Sequence, residues 1–188
     1  RSRAQTRGSD CCARRCCMYA IKQAMLISGA LPLAEITIYY MDIRTFGKGY
    51  EQFYQNAKAM GVEFVRGKVA SIREDEKHNP IIKVELTEEG RIIERTHDLV
   101  VLSLGMIPTA SPSTFGLLPS SDGFIYIPAL NASPSATQRP GIFITGAAGG
   151  PMDIVDSIVT AGSAASEASA YIREKTGMPV TQQEVAYA

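Results

Sequence analysis

Residues 34–42 read AEITIYYMD, a β-branched and aromatic stretch with a continuous apolar centre. A strand apolar on both faces must be covered on both faces, as in a parallel sheet with helices above and below. Helical sequence stands on either side of it. Upstream, Met18, Ile21 and Met25, flanked by Ala20, Ala24 and Ile27, recur at the spacing of a half-buried helix over about residues 12–28. Gly29 and Pro32 end that helix. Downstream, the loop IRTFGKG leads into YEQFYQNAKAMG (50–61), a second helix closed by Gly61. VEFVRG (62–67) is the next strand. KVASIRED, IIKVELTEEG and RIIERTHD then alternate apolar and polar residues and are joined by the turn sequences KHNP and EEGR, which predicts an antiparallel meander. DLVVLSLG (98–105) is again continuously apolar and reads as a buried strand.

The order α-β-α-β-meander-β predicts an α/β fold: a Rossmann-like nucleotide-binding unit that is incomplete. Crossover rules want a strand before the first helix, and only the polar stretch RSRAQTRGSD precedes it. The chain therefore reads as a fragment of a larger protein. Residues 106–123 are loop-rich, with Pro108, Pro112 and Pro119. FIYIP (124–128) reads as a short strand, NASPSATQRP as a loop, and GIFITGAAGG (141–150) as a strand ending in small residues. A last helix is expected from near Pro151 to about Lys175, with Ile154, Ile158, Ala161, Ala165, Ala168 and Ile172 as its stripe. The expected division is 1–105 for the nucleotide-binding-like unit with the meander, 106–177 for a second domain, and 178–188 for a tail.

Nineteen basic and nineteen acidic residues give a formal net charge of zero, which offers nothing to a nucleic acid or an anionic membrane surface. No apolar run reaches the roughly 18 residues that would suggest a transmembrane helix, and the N-terminus lacks the apolar core of a signal peptide. A cytoplasmic protein, or a subunit docked on other proteins, is expected.

All four cysteines fall within CCARRCC (11–17). Without a secretion signal, such clustering favours a metal or redox role over a disulfide framework, and adjacent cysteines bond each other poorly. Three readings stay open. A single zinc held by two pairs so close together would be crowded. An iron–sulfur cluster is larger and takes thiolates at its corners; Cys12 and Cys16 lie one helical turn apart and Cys17 is adjacent, with Cys11 or a residue outside the chain as the fourth donor. The third reading is structural thiols, although Arg14 and Arg15 beside them would favour thiolates.

The second informative stretch is IFITGAAGGPMDIVDSIVTAGSAA. Gly146, Ala147, Ala148, Gly149 and Gly150 let a ligand approach the backbone closely. Pro151 suits a first helical position and Asp153 a first turn, and a helix N-terminus offers N–H groups to a phosphate or to the electron-rich edge of a reduced flavin. Packing alone explains such a turn equally well. No full G-x-G-x-x-G occurs, so a dinucleotide's phosphate loop would have to lie elsewhere.

CCMYAIKQA, ITIYYMDIRTFGKGYEQFYQNAKAMGVEFVRGKV, DLVVLSLGMIP and GIFITGAAGGPMDIVDSI together resemble the A subunit of heterodisulfide reductase and, more widely, the flavoprotein subunits of quinone-interacting membrane-bound oxidoreductase complexes. The likeness runs from about Cys12 to Ile172. It implies a thioredoxin-reductase-like fold, with the C-terminal strand and helix of a FAD domain in residues 106–177. It implies FAD and a 4Fe-4S cluster as cofactors, the cluster held by Cys12, Cys16 and Cys17 in a C-x₃-C-C pattern. The fourth ligand would lie just before the chain, where Ser2-Arg3 resemble the end of a Cys-x-Gly-Ser-Arg motif, or be Cys11. Gly146, Ala147, Gly150, Pro151, Met152, Asp153 and Ile154 are implied to hold the flavin near its N1/O2 edge, with Met152 standing where some members carry Lys. Lys22 is a candidate to face the flavin or the cluster, against the alternative of an exposed helix lysine.

The implied activity is that of an electron-transfer oxidoreductase subunit in anaerobic energy metabolism such as methanogenesis. Its partners would be other subunits of a heterodisulfide-reductase-like complex and a ferredoxin or hydrogenase donor. Two alternatives come from other classes: a scaffold without cofactors, and a pyridine-nucleotide-disulfide oxidoreductase working through the Cys16 or Cys17 thiol. Asp42 and Arg44 end a parallel strand, where nucleotide-binding sheets contact ribose; without a glycine-rich loop before the first helix no NAD site is expected there, and a cluster is expected to take that space. His78 and His97 are expected at the surface.

Overall fold

The computed structural model describes residues 14–109 and 111–177. Cys11, Cys12 and the tail 178–188 lie outside the described residues. The chain divides into two compact units, the first ending at Gly105 and the second beginning at Met106.

In the first unit, helix α1 (Arg14–Ala30), strand β1 (Thr37–Tyr40) and helix α2 (Tyr50–Ala59) precede strands β2 (Glu63–Glu74), β3 (Pro80–Leu86) and β4 (Ile92–Thr96). The sheet runs β1-β2-β3-β4. β1 and β2 are parallel, in register from Thr37↔Glu63 to Tyr40↔Arg66; β2–β3 and β3–β4 are antiparallel. VEFVRG and KVASIRED, separate strands by sequence, form one twelve-residue strand that changes partner at Gly67. A Cβ there would lie 2.7 Å from both the Glu85 carbonyl oxygen and Val84 Cγ1, so only glycine lets β3 come alongside. A bulge between Val69 and Ser71 follows and adds local twist.

The stripe predicted on α1 is the one that packs. Ile21 and Ala24 are buried together with Ala57 of α2 and Val62, and Met18, Met25, Ile38, Phe53 and Phe64 close around them. A second cluster, Val65, Ile82, Val84 and Leu86, joins the sheet to Tyr39, Ile93 and Val100. At the β2–β3 turn, Asp75 Oδ1 accepts from the backbone N–H groups of Lys77 and Asn79 at 2.8 and 2.9 Å, an Asx turn that settles the charged hairpin end.

Residues 98–105 are not a strand. Leu99, Val101, Leu102 and Leu104 are all more than 60% exposed, and only Val100 reaches the core. An apolar run becomes a strand only where a neighbour supplies its ladder, and none of the described strands pairs with it. Two bonds to α1 hold it instead: Ser103 Oγ donates to the Cys16 carbonyl at 3.1 Å, and the Tyr19 hydroxyl donates to the Leu104 carbonyl.

In the second unit, FIYIP and GIFITG form no strands either. Each makes one isolated bridge, Pro119↔Ile125 and Ala136↔Phe143, and Leu117, Ile125 and Ile144 pack as loop residues. Helix α3 runs Ile154–Thr176, three residues later than expected at its start. Pro151 precedes it, and Asp153 is its N-cap, the carboxylate accepting from Asp156 N–H at 2.9 Å. Most of the predicted stripe faces outward: Ile154, Ile158, Ala161, Ala165 and Ile172 are exposed, while Ala168 is half-buried. Its packed face is polar.

Candidate functional site

α1 follows the sequence into the first unit with Cys16 and Cys17 near its start, half-buried and in no disulfide. The Cys17 sulfur lies 4.0 Å from the Asp42 carbonyl oxygen, two residues beyond the C-terminal end of β1. This is the edge of a parallel sheet where α/β proteins place their chemistry. A hydrogen bond from the Cys16 thiol brings Cys17 down to about 6 against the raising effect of burial; the Arg44 backbone N–H and guanidinium assist, and the Asp42 carboxylate opposes. The Arg44 guanidinium sits 3.6 Å from that carboxylate. The pair at the place where nucleotide-binding sheets contact ribose thus stands beside a sulfur. The rule that sites lie beyond strand C-termini already points from residues 42–44 to the cysteines; the Ser103 and Tyr19 contacts carried no local signal.

Cys12 and Cys11 lie outside the described residues. Among the described residues no three His, Cys, Asp or Glu come together as a metal-binding group. A 4Fe-4S cluster needs four donors, so the described chemistry fits half of one: two neighbouring thiols, one hydrogen-bonded by backbone. Lys22 is exposed on α1.

In the second unit, Gly146–Ala148 form a single 3-10 turn leading through Gly149, Gly150, Pro151 and Met152 to the Asp153 cap. Gly146 has φ 63°, which disfavours any side chain. A Cβ on Gly150 would meet nothing within 4 Å, so the backbone there faces open space. Ile154 and Val155, the first two residues of α3, have no intrahelical acceptor for their N–H groups, and the helix dipole adds partial positive charge. An open glycine beside a helix N-terminus fits the approach of an electron-rich ring edge. Of the predicted set, Gly146 is committed elsewhere: its N–H donates to Thr160 Oγ1 at 3.0 Å.

A cleft of about 690 Å³ lies at the opposite edge of the first unit's sheet, lined by Ser28, Ile36, Thr37, Glu63, Arg95 and His97 among others. Its polar wall is self-satisfied. Arg95 Nη1 and Thr37 Oγ1 both donate to Glu63 Oε2, at 2.6 and 2.8 Å, and Arg95 holds the Glu63 carboxyl below its ordinary range. His97, expected at the surface, is half-buried, with Nε2 2.8 Å from the Tyr39 hydroxyl and the two rings edge to face. These contacts tie β4 to the parallel pair. Thr37 and Glu63 begin β1 and β2, and Arg95 and His97 lie at the C-terminal end of β4.

No protein-family model matches the chain. Curated proteins do. The chain is 42% identical over 174 residues to an iron-sulfur A subunit of CoB–CoM heterodisulfide reductase, the form numbered 2, from Methanopyrus kandleri, covering 89% of this chain and 26% of that protein. It is 45% identical over 168 residues to the iron-sulfur A subunit of the CoB–CoM heterodisulfide reductase of Methanocaldococcus jannaschii, covering 86% and 26%. It is 39% identical over 173 residues to the A subunit of the H2:CoB-CoM heterodisulfide,ferredoxin reductase of Methanothermobacter thermautotrophicus, covering 89% and 26%. The chain thus spans about a quarter of the length of these relatives. Among solved structures, thioredoxin reductase from Lactococcus lactis superposes with a TM-score of 0.61 at 20% identity, over 84% of this chain and 50% of that one. The T. acidophilum thioredoxin reductase gives 0.52 at 17% identity, over 77% and 45%. At such identities the likeness concerns the fold, which is thioredoxin-reductase-like.

Proposed function

As this chain is homologous to one segment of the heterodisulfide reductase A subunits, we propose that it is the part of an electron-transfer oxidoreductase that helps to ligate a 4Fe-4S cluster and presents one edge of a FAD site. Cys16 and Cys17, with Cys12, would hold the cluster; residues Gly146, Ala147 and Gly150–Ile154 would border the flavin. When bound, FAD supplies two-electron chemistry and the cluster single-electron transfer.

The observation that carries this reading is the placement of Cys16 and Cys17 together at the C-terminal edge of the parallel strands, in a chain homologous to proteins named iron-sulfur subunits. The chain's own residues do three things there. α1 holds the two thiols at a fixed separation. Arg44, through its backbone and its guanidinium, favours the Cys17 thiolate, the kind of outer contact that tunes a ligand's basicity. Ser103 and Tyr19 fasten residues 103–104 along α1 beside the Cys16 backbone. In the second unit, the Asp153 cap fixes the start of α3, and with it the direction of the N–H groups offered to the flavin. Other subunits of a heterodisulfide-reductase-like complex, and a ferredoxin or hydrogenase, are the proposed partners.

The test is iron, acid-labile sulfide and FAD content after anaerobic purification, for the native chain and for Cys16→Ser and Cys17→Ser. The expected result is about four iron and four sulfide per native chain, with iron falling in both variants while FAD stays. Full iron in both variants overturns the cluster assignment. No iron, with thiols that alkylate only after reduction, would favour a thiol-based disulfide oxidoreductase, the reading to which the Cys16–Cys17 hydrogen bond also lends itself.

A further inference from the structure

One side chain of α3 gathers most of the glycine-rich turn. The Thr160 hydroxyl accepts from Gly146 N–H and from Thr145 Oγ1, each at 3.0 Å, which fills both of its lone pairs. Its single proton lies within reach of the Asp156 carbonyl at 3.0 Å, the Ser157 carbonyl at 3.1 Å and, more weakly, Met152 Sδ at 3.7 Å. Thr145 and Gly146 begin the turn and Met152 ends it, so one hydroxyl touches both of its limbs. The cap closes the same arrangement from the other side: Asp153 accepts Asp156 N–H through its carboxylate, and its carbonyl accepts from Ser157 Oγ at 2.7 Å.

Packing does not require any of this. A valine has the same shape, and threonine is a mediocre helix former whose hydroxyl competes for helix carbonyls. What the hydroxyl adds is an acceptor for a donor pair that the glycine-rich turn leaves over. Within the turn Gly149 N–H donates to the Gly146 carbonyl, and the Ala148 carbonyl accepts from Ile125 N–H, both at 3.1 Å; neither bond ties the turn to α3. Its position relative to the N-terminus of α3 depends on contacts from the helix.

We propose that Thr160 is a positioning residue for the flavin edge: it anchors the 145–152 turn to α3, so that the open backbone at Gly150 and the N–H groups of Ile154 and Val155 face the ring in one geometry. This rests on the flavin reading of residues 146–154. Thr160 itself need not touch the cofactor.

The test compares the native chain with Thr160→Val and Thr160→Ser. Three readouts are taken: the midpoint potential of FAD, its Kd, and amide hydrogen exchange at Gly146 in the flavin-free protein. Thr160→Val is expected to weaken FAD binding about tenfold, to shift the flavin potential, and to speed exchange at Gly146. Thr160→Ser, which keeps the oxygen, is expected to restore all three to within about twofold. Native affinity and potential in Thr160→Val overturn the proposal, as does a Thr160→Ser variant no better than Thr160→Val. If the native chain binds no FAD, the flavin reading fails. Unchanged Gly146 exchange in Thr160→Val would then overturn the anchoring as well, whereas faster exchange rescued by serine would uphold anchoring without the flavin.

Discussion

Helices α1 and α3 solve the same problem in opposite ways. α1 turns its apolar stripe inward, with Ile21 1% and Ala24 4% exposed. α3 turns its apolar stripe outward, with Ile154 79% and Ile158 67% exposed, and packs through Ser157, Thr160, Ser163, Glu167 and Tyr171. The difference lies in what each helix meets. α1 meets a sheet and a second helix, whose backbone groups are already paired, so burial of hydrocarbon is what remains to be gained. α3 meets the loop 133–146, whose backbone groups are only partly paired, around the single Ala136↔Phe143 bridge. Ser135 is fully buried there, and its N–H donates to Glu167 Oε1 at 3.2 Å while its hydroxyl reaches the Thr160 carbonyl at 3.3 Å. Against a partner of that kind a helix must bring acceptors and donors.

The contrast can be broken most directly with a matched pair. Ile21→Ala is expected to destabilise the first unit by about 2–5 kcal/mol, read as a lower urea midpoint and faster amide exchange in β1 and β2. Ile158→Ala removes the same atoms from an exposed site and is expected to stay within about 0.5 kcal/mol. Comparable losses in the two variants would mean that the outer face of α3 is buried in solution, and the distinction would disappear.

Glu167→Ala comes next. It strands the buried Ser135 N–H and removes the partner of Ser163 Oγ at 3.0 Å, for an expected cost of about 1–3 kcal/mol. The diagnostic is selective loss of exchange protection at Ser135. A loss spread evenly over α3 would point to helix propensity instead of a specific polar contact.

The smallest effect concerns the charged edge of the sheet. Arg95 depresses the Glu63 carboxyl, and a carboxyl whose folded pKa lies below its unfolded value contributes stability that is present above the unfolded pKa and lost as pH falls through the folded one. Both side chains are well over a third exposed, so the contribution is expected to be under about 1 kcal/mol. Arg95→Met should therefore be slightly less stable than the native chain at pH 7, and the gap should close as pH falls below the ordinary glutamate range. A gap of equal size at about pH 3, below that range, would assign the role of Arg95 to packing of its stem.

Much of the first unit was legible because its signals are local or periodic. Met18, Ile21 and Met25 marked both a helix and its buried face; the alternation in 68–97 marked the meander. Where the sequence misled, a segment's state depended on a neighbour. DLVVLSLG has every internal feature of a buried strand, yet no ladder partner lies beside it among the described residues. VEFVRG and KVASIRED were separated at a glycine that, in the structure, carries one strand from a parallel partner to an antiparallel one. At the candidate site, the cysteines and the small-residue turn were visible as composition. Arg44 and Asp42 around Cys17, and Thr160 beneath Gly146, were not, because residues 14 to 27 positions apart in the chain meet only once the backbone has turned.

The sequence by itself determined which segments are helical, where the meander turns, and which residues carry the sulfur and the close-approach backbone. These follow from side-chain spacing and from the backbone freedom of single residues. The tertiary structure alone decided which face of α3 is packed, which sulfur sits beside Asp42 and Arg44, and whether an apolar run is a strand. Each of these depends on the hydrogen-bonding state of the surface brought opposite, and a sequence does not state which surface that will be.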